Sequence, residues 1–528
     1  MRAALVMLLA VSVAASSLAI FHLHVSPMVR KRKTGDEHTS DSPFESFFDY
    51  EYSTRGTNAA KRHVLSSLLE EGINADGVLS FWERRADVVD AVLGNIAALM
   101  ERDPPFKTSC DRWMLYDTSD LSPHGFGSQI NNYLYAFLVS ISLRRRFAVI
   151  GRHNLGCAQQ IVDSKTVLPS MLSCMFRPPL GALIAESPLV SKPGPFACPM
   201  PDWILPGGAD AGNAVVTKVR KWHGNGKHRT SVPRLVASTP FKASADASVI
   251  IADMDYVRNA AFNIIKTPKM CQDTFSFLTK PERDLLCSRG TSACDEEAGH
   301  LAIMRLMGKL ALKLQPLAKD AVLSHLARGS SLRIDGGVHI RRRDSREILE
   351  ELFKYDFARY VDLCGKPKAD NENDMHVDAL SCVQSMEGNN PGIPLSKYVK
   401  RLLRNEKCNL KSSNSRVYVA TDAFKSVSKE MKYAAAAEHV TFAYIGAEKK
   451  VEHVLSKYGH EQTFEAEIGF AHNTHVLAEL LTLSKAPCMA AVLRSNMPNL
   501  AQILRTQAPR SVMDLLREQD QCRFFFIP

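Results

Sequence analysis

From about residue 330 to 505 the chain alternates short apolar runs with helical stretches, and this alternation constrains the fold more than any other feature. A strand at 336–340 precedes a helical run at 345–363. A polar insertion then spans 364–392, and a helix at 394–404 carries Tyr398. A strand at 415–422, a helix at 425–436 and a strand at 440–445 make the next unit. A helix at 475–483, a weaker strand at 488–493 and a helix at 497–504 follow. Repeated strand–helix alternation predicts a parallel sheet with right-handed crossovers. An earlier unit has the same form. A strand at 111–116 leads through Gly125-Phe126-Gly127-Ser128-Gln129 into a helix at 130–143 and a strand at 147–150. Residues 151–300 are rich in proline and small residues and show less pattern. One apolar strand there, 248–252, ends in Asp253-Met254-Asp255, and helical segments follow at 300–314 and 317–327.

The most informative strand is Gly336-Gly337-Val338-His339-Ile340, because it runs straight into Arg341-Arg342-Arg343-Asp344. In open α/β sheets ligands lie beyond the carboxyl ends of the strands. A guanidinium there is always charged and offers a planar fork of donors that matches phosphate oxygens. Read structurally, the same residues are a packed histidine at His339 and an arginine paired with Asp344. Gly125 and Gly127 let backbone approach a ligand, and the following helix N-terminus presents free amides; alone, the pattern is equally a tight turn. Asp253 and Asp255 have the spacing of a divalent-cation site for a nucleotide diphosphate, although so short a motif matches often by chance.

Charge and cysteine content narrow the class. The 528-residue chain carries a net charge of +10, with 45% hydrophobic and 23% charged residues, so most of it can build cores. The sequence has no zinc-finger spacing, aromatic RNA-binding signature or basic region with heptads, so a nucleic-acid partner is not expected. Ala3 to Phe21 form an uncharged, largely apolar run, which predicts a membrane anchor or signal peptide in residues 1–25, then a polar stem at 26–58. Either delivers the rest of the chain to a lumen. A type II anchor in the Golgi membrane is the preferred reading, even though the cations at 30–33 sit on the luminal side. Twelve cysteines fit an oxidising compartment. Cys287 with Cys294, and Cys364 with Cys382, are the local disulfide candidates. In the helical region 59–105, Val78, Trp82, Arg85, Val89, Val92, Ile96 and Leu99 recur at spacings of four and three. They form either a dimerising coiled coil over 78–100 or a helix lying on its own domain.

Three separated pieces resemble one family in order and content. They are Gly125-Phe126-Gly127-Ser128-Gln129, His339-Ile340-Arg341-Arg342-Arg343-Asp344, and Val417-Tyr418-Val419-Ala420-Thr421-Asp422. A looser fourth piece runs from Leu477-Ala478-Glu479-Leu480 to Leu493-Arg494-Ser495-Asn496, and Pro394 and Tyr398 match a Pro-x-x-x-Tyr helix. Together they resemble α-1,6-fucosyltransferases, and more distantly the protein O-fucosyltransferases, over roughly residues 106–510. The resemblance implies a GT-B-like α/β fold of two Rossmann-type lobes with a cleft between them: an N-terminal open lobe at 106–328, a donor-binding lobe at 329–510 and a C-terminal tail at 511–528. It implies inverting transfer of fucose from GDP-fucose to a glycan, with no metal and no cofactor. Arg341 and Arg342 would hold the pyrophosphate and His339 would touch the nucleotide. Gly125, Gly127, Asp344, Thr421, Asp422, Glu479 and Ser495 would line the donor site. The family's Thr and Lys around the arginine motif are Arg343 and Ser345 here, and its second aspartate after the threonine is Ala423. Leu349 stands where the family has its acidic general base, leaving Glu347 and Glu350 as the catalytic candidates beside Arg342. Two other readings stay open: a metal-dependent transferase built on Asp253 and Asp255, and a non-catalytic luminal binding protein on a decayed transferase fold.

Overall fold

The computed structural model describes residues 59–105, 112–118, 126–150, 172, 175–177, 179–181, 183–184, 216–219, 249–287, 292–327, 334–341, 394–405, 408, 410, 415–421, 424–445, 466–491, 496–508 and 512–514. The anchor and stem, the helix at 345–363 and the insertion at 364–392 lie outside these, as do Gly125, Arg342, Asp344, Glu347, Glu350, Asp422 and Ser495. Among the described residues no helix is long and apolar enough to cross a membrane.

Two parallel five-stranded sheets organise the chain from residue 112 onward. The first is built from β1 (Trp113–Asp117), β2 (Arg146–Ile150), β3 (Leu183–Ile184), β4 (Val216–Val219) and β5 (Val249–Ala252), in the order β3-β2-β1-β5-β4. The second has β6 (Gly336–Ile340), β7 (Arg416–Thr421), β8 (Thr441–Ala443), β9 (Met489–Ala491) and β10 (Val512–Asp514), in the order β10-β9-β6-β7-β8. This is the expected two-sheet α/β architecture. Two details depart from expectation. β10 falls in the stretch read as a tail, so the second sheet extends past residue 510. The Pro-rich region supplies β3 and β4, which are too short for a periodic signal.

An N-terminal helical layer comprises α1 (Ala59–Asp76), α2 (Val78–Arg84) and α3 (Ala86–Arg102). The coiled-coil reading fails here, because the apolar repeat is interrupted and already covered. Gly77 breaks it at φ 80°, and a Cβ there would sit 2.9 Å from Asp295 Oδ1. That same carboxylate oxygen accepts from Leu79 N at 2.9 Å. Val78, Trp82, Val89, Val92 and Ile96 are buried within the chain, while Arg85 is exposed and pairs with Asp87. Their cover is α8 (Ala293–Ala311), tied to α3 by Lys309–Asp90 at 2.8 Å. Among the described residues, that repeat is therefore buried against the chain's own α8.

Around the first sheet lie α4 (Phe126–Ser142), α5 (Met254–Lys266), α6 (Pro268–Thr274) and α7 (Lys280–Cys287). Tyr133 and Phe137 of α4 pack on Phe147 of β2 at ring distances of 5.9 and 5.7 Å. Cys271 pairs with Cys287, stapling α6 to α7, so the expected Cys287–Cys294 bridge is wrong. A helical sequence separation of 16 brings the two Cα atoms to 5.6 Å only because α6 and α7 fold back on each other.

α9 (Pro316–Ala327) leads into the second lobe, which adds α10 (Leu395–Arg404), α11 (Phe424–Glu438), α12 (Ala466–Lys485) and α13 (Asn496–Ile503). Its sheet has two unlike faces. Val338, Ile340, Val417 and Val419 pack with Leu395, Tyr398, Leu402 and Val427 into an apolar core. Cys408 and Cys488 border that core and form a disulfide across a separation of 80 residues. Closing a loop of that length removes unfolded-state entropy worth about 4.5 kcal/mol in the chain-entropy model. The opposite face meets α12 and is far more polar.

α13 is the piece that joins the lobes. It follows β9 of the second sheet yet packs on α4 and α8 of the first lobe. Two glycines make the room. A Cβ on Gly127 would lie 2.9 Å from Met497 Sδ, and one on Gly308 would lie 3.0 Å from Ile503 Cγ2. Arg305, buried on α8, donates to the carbonyls of Gln502 at 3.0 Å and Gln507 at 2.7 Å, and its guanidinium lies 4.6 Å over the Trp82 ring. Burial first, then the nearby Arg505 charge, pulls its pKa down to about 9.

Candidate functional site at the facing strand ends

Counting from β6 outward, the second sheet runs β6-β7-β8 on one side and β6-β9-β10 on the other. Strand order therefore reverses between β6 and β9, where α/β sheets open a ligand crevice at their carboxyl ends. The first sheet reverses likewise between β1 and β5. α4 follows β1 and α13 follows β9, and the N-terminal turns of these helices touch: Asn131 Nδ2 donates to Asn496 Oδ1 at 3.1 Å and to the Asn496 carbonyl at 3.4 Å. The carboxyl ends of the two sheets thus approach one another at this junction.

Three predicted site residues meet at the second sheet's crevice. His339 pairs in register with Ala420 on β7 and Ala491 on β9, and Ile340 pairs with Thr421. Arg341, the next residue, leaves the sheet at the level of Thr421 and is half-buried. Its cation acts on His339, whose imidazole is pushed down to about 3, first by burial and then by Arg341. His339 is therefore neutral, and its buried Nδ1 has no hydrogen-bond partner. Its 6% exposure matches the packed-histidine reading. Gly127 lies inside the first turn of α4, not in a loop before it, and what it admits is Met497.

Glu479 reaches this region from α12. A Cβ on Gly337 would lie 2.6 Å from Leu483 Cδ1, so Gly337, and by strand alternation His339, face α12. Glu479 is one turn before Leu483, a rise close to that of two strand residues, which places it about level with His339. It lies in a buried polar layer. His475 Nε2 is 3.8 Å from Glu479 Oε1, the His325 and His475 rings meet edge to face at 5.4 Å, and Thr474 Oγ1 is 3.5 Å from His325 Nε2. Burial and then the Glu479 charge push the Tyr418 phenol well above its ordinary range.

Of the paired aspartates, Asp253 caps a helix. It is the N-cap of α5: its Oδ1 accepts from Tyr256 N at 3.0 Å in a buried position. That is the ordinary work of an aspartate before a helix. Among the described residues no group of three His, Cys, Asp or Glu side chains is placed to hold a metal ion. Asn131, Asn496 and Met497 meet at the lobe junction and were not among the predicted site residues. The visible hint was Asn131-Asn132, two amides inside an otherwise apolar helix.

No protein-family model matches the sequence, and no curated protein matches it. Comparison with solved structures gives fucosyltransferases. An arginine-to-lysine mutant of Arabidopsis thaliana FUT1 in complex with GDP is 11% identical, covering 90% of this chain and 83% of that one at a TM-score of 0.37. NodZ alpha-1,6-fucosyltransferase soaked with GDP-fucose is 13% identical, covering 75% and 93% at 0.32. POFUT1 in complex with GDP is 11% identical, covering 77% and 99% at 0.31. The chain resembles fucosyltransferases. At these scores the similarity is remote, and the functional reading stands on the motifs and on the geometry of the strand ends.

Proposed function

We propose that this chain is a glycosyltransferase that moves fucose from GDP-fucose to a glycan hydroxyl with inversion and without a metal ion. The observation that carries the reading is the emergence of Arg341 beside Thr421 at the reversal point of the second sheet, with Arg342 next in sequence. As the fucosyl–oxygen bond breaks, negative charge gathers on the departing diphosphate. Fixed guanidinium groups stabilise it where a divalent cation would otherwise be needed. Glu347 or Glu350 takes the proton of the attacking hydroxyl, and attack on the face opposite the diphosphate inverts the anomeric centre. Asp422, Ser495 and Glu479 belong to the donor side in this reading. The N-terminal segment would hold the enzyme in the Golgi membrane with its catalytic part in the lumen.

The cap role of Asp253 Oδ1 favours a structural part for that carboxylate over a metal-binding one. The deciding experiment is GDP release from GDP-fucose by the purified full chain, with and without EDTA and across an acceptor panel. Turnover that survives EDTA supports the proposal. Turnover lost to EDTA and restored by Mn²⁺ removes it. GDP binding with no turnover on any acceptor replaces it with the non-catalytic reading.

A further inference from the structure

Asn131 has one amide atom accounted for and one not. Asn496's carbonyl can only accept, so the amide atom facing it must be Nδ2, and Nδ2 also reaches Asn496 Oδ1. The other atom, Oδ1, is buried and accepts no hydrogen bond, in a residue only 2% exposed. Leaving a buried acceptor empty costs free energy that native structures seldom tolerate without a water or ligand to fill it. The position is specific. Asn131 stands one turn after Gly127 on the face of α4 that meets α13, at the junction between the crevices of the two sheets. The groups assigned to the diphosphate all lie on the second lobe. Asn131 is on the first lobe, one turn along α4 from Gly127, so it faces a donor held by the second lobe from across the junction.

We infer that Asn131 is a donor-positioning residue whose Oδ1 accepts a hydrogen bond from a hydroxyl of the donor's sugar, while its Nδ2 holds the two lobes in register. The inference rests on the sugar-nucleotide reading above and deepens it. A sugar hydroxyl is a neutral donor, the partner an amide oxygen suits, and it completes the contact that Asn496 leaves half made.

The test is calorimetric titration of the full chain with GDP and with GDP-fucose, for the wild type, Asn131→Ala and Asn131→Asp. Alanine removes both amide atoms. Aspartate keeps an acceptor of the same shape, gives up the bonds to Asn496 and adds a negative charge, whose effect on the diphosphate is read from GDP alone. Wild type is expected to bind both ligands. Asn131→Ala should bind GDP within about twofold of wild type and lose about tenfold on GDP-fucose, the effect of one buried hydrogen bond. Asn131→Asp should recover most of that loss. Equal effects of alanine on both ligands, or none on either, overturn the inference while leaving the GDP site standing. So does an aspartate variant that binds GDP like wild type but GDP-fucose as weakly as alanine, because the residue would then act only through the lobe contact. A wild type that binds neither ligand overturns the parent reading, and this inference with it.

Discussion

At the scale of single residues, the arginine cluster and His339 make separable predictions. Arg342→Ala should abolish transfer, and Arg342→Lys should not restore it, because a point charge cannot replace a planar fork on phosphate oxygens. Near-normal kcat for the lysine variant would sink the bidentate role. For His339 the sign follows from protonation. The folded imidazole stays neutral down to about 3, against an ordinary value of 6.5, so between those values the unfolded chain binds a proton the fold refuses. Its contribution to stability is complete above pH 6.5 and declines as pH falls toward 3. In His339→Asn, the urea midpoint should fall less steeply than wild type between pH 6.5 and 4. His300, pushed down to about 4 by burial, leaves a residual slope in both proteins. An unchanged slope in the variant would show that His339 is not the group responsible. The strand-end residues were legible because a cation cluster after an apolar run is a local signal. Asn131 was not, because its meaning depends on Asn496, 365 residues away.

At the scale of elements, the strands that carry the site were readable within a residue or two, since each is a continuous buried run. The helices were read less fully: α4 starts at Phe126 and α12 at Ala466, each earlier than the periodicity suggested. Tertiary packing explains the gain at α4, whose glycine at position 127 would be a poor helix former alone but gives Met497 its space. The same logic predicts the outcome at Gly337. An alanine Cβ there would lie 2.6 Å from Leu483 Cδ1 and 2.9 Å from Ala486 Cβ, and the latter has no rotamer by which to retreat. Gly337→Ala should therefore cost about 1–3 kcal/mol by forcing α12 off β6. Chemical denaturation measures this directly, and a neutral result would show that the packing of α12 on β6 yields to a Cβ at position 337. Disulfide pairing was the least legible property of all. Cys271–Cys287 and Cys408–Cys488 are set by which helices fold back and which strand ends adjoin, neither of which is visible in spacing.

At the scale of the whole molecule, the N-terminal helices pack on the first lobe, and the repeat of α2 and α3 is buried there. A pattern of four and three describes an apolar stripe but not what lies against it, and here that is α8 over α3. Val92→Asp should lower Tm sharply by placing an unpaired carboxylate in that core, and the drop should be the same at every protein concentration. A melting temperature that climbs with concentration in the wild type, and loses that dependence in the variant, would restore the dimer reading. The two lobes are also joined by more than the link between α9 and β6. α13 and the residues after it return to the first lobe, where Arg305 grips the carbonyls of Gln502 and Gln507. A protease cut made between residues 327 and 334 would therefore sever the peptide chain without freeing its halves. The nicked protein should travel as one particle on a sizing column and come apart only in denaturant, behaving like a two-fragment complex held by its own C-terminal strap.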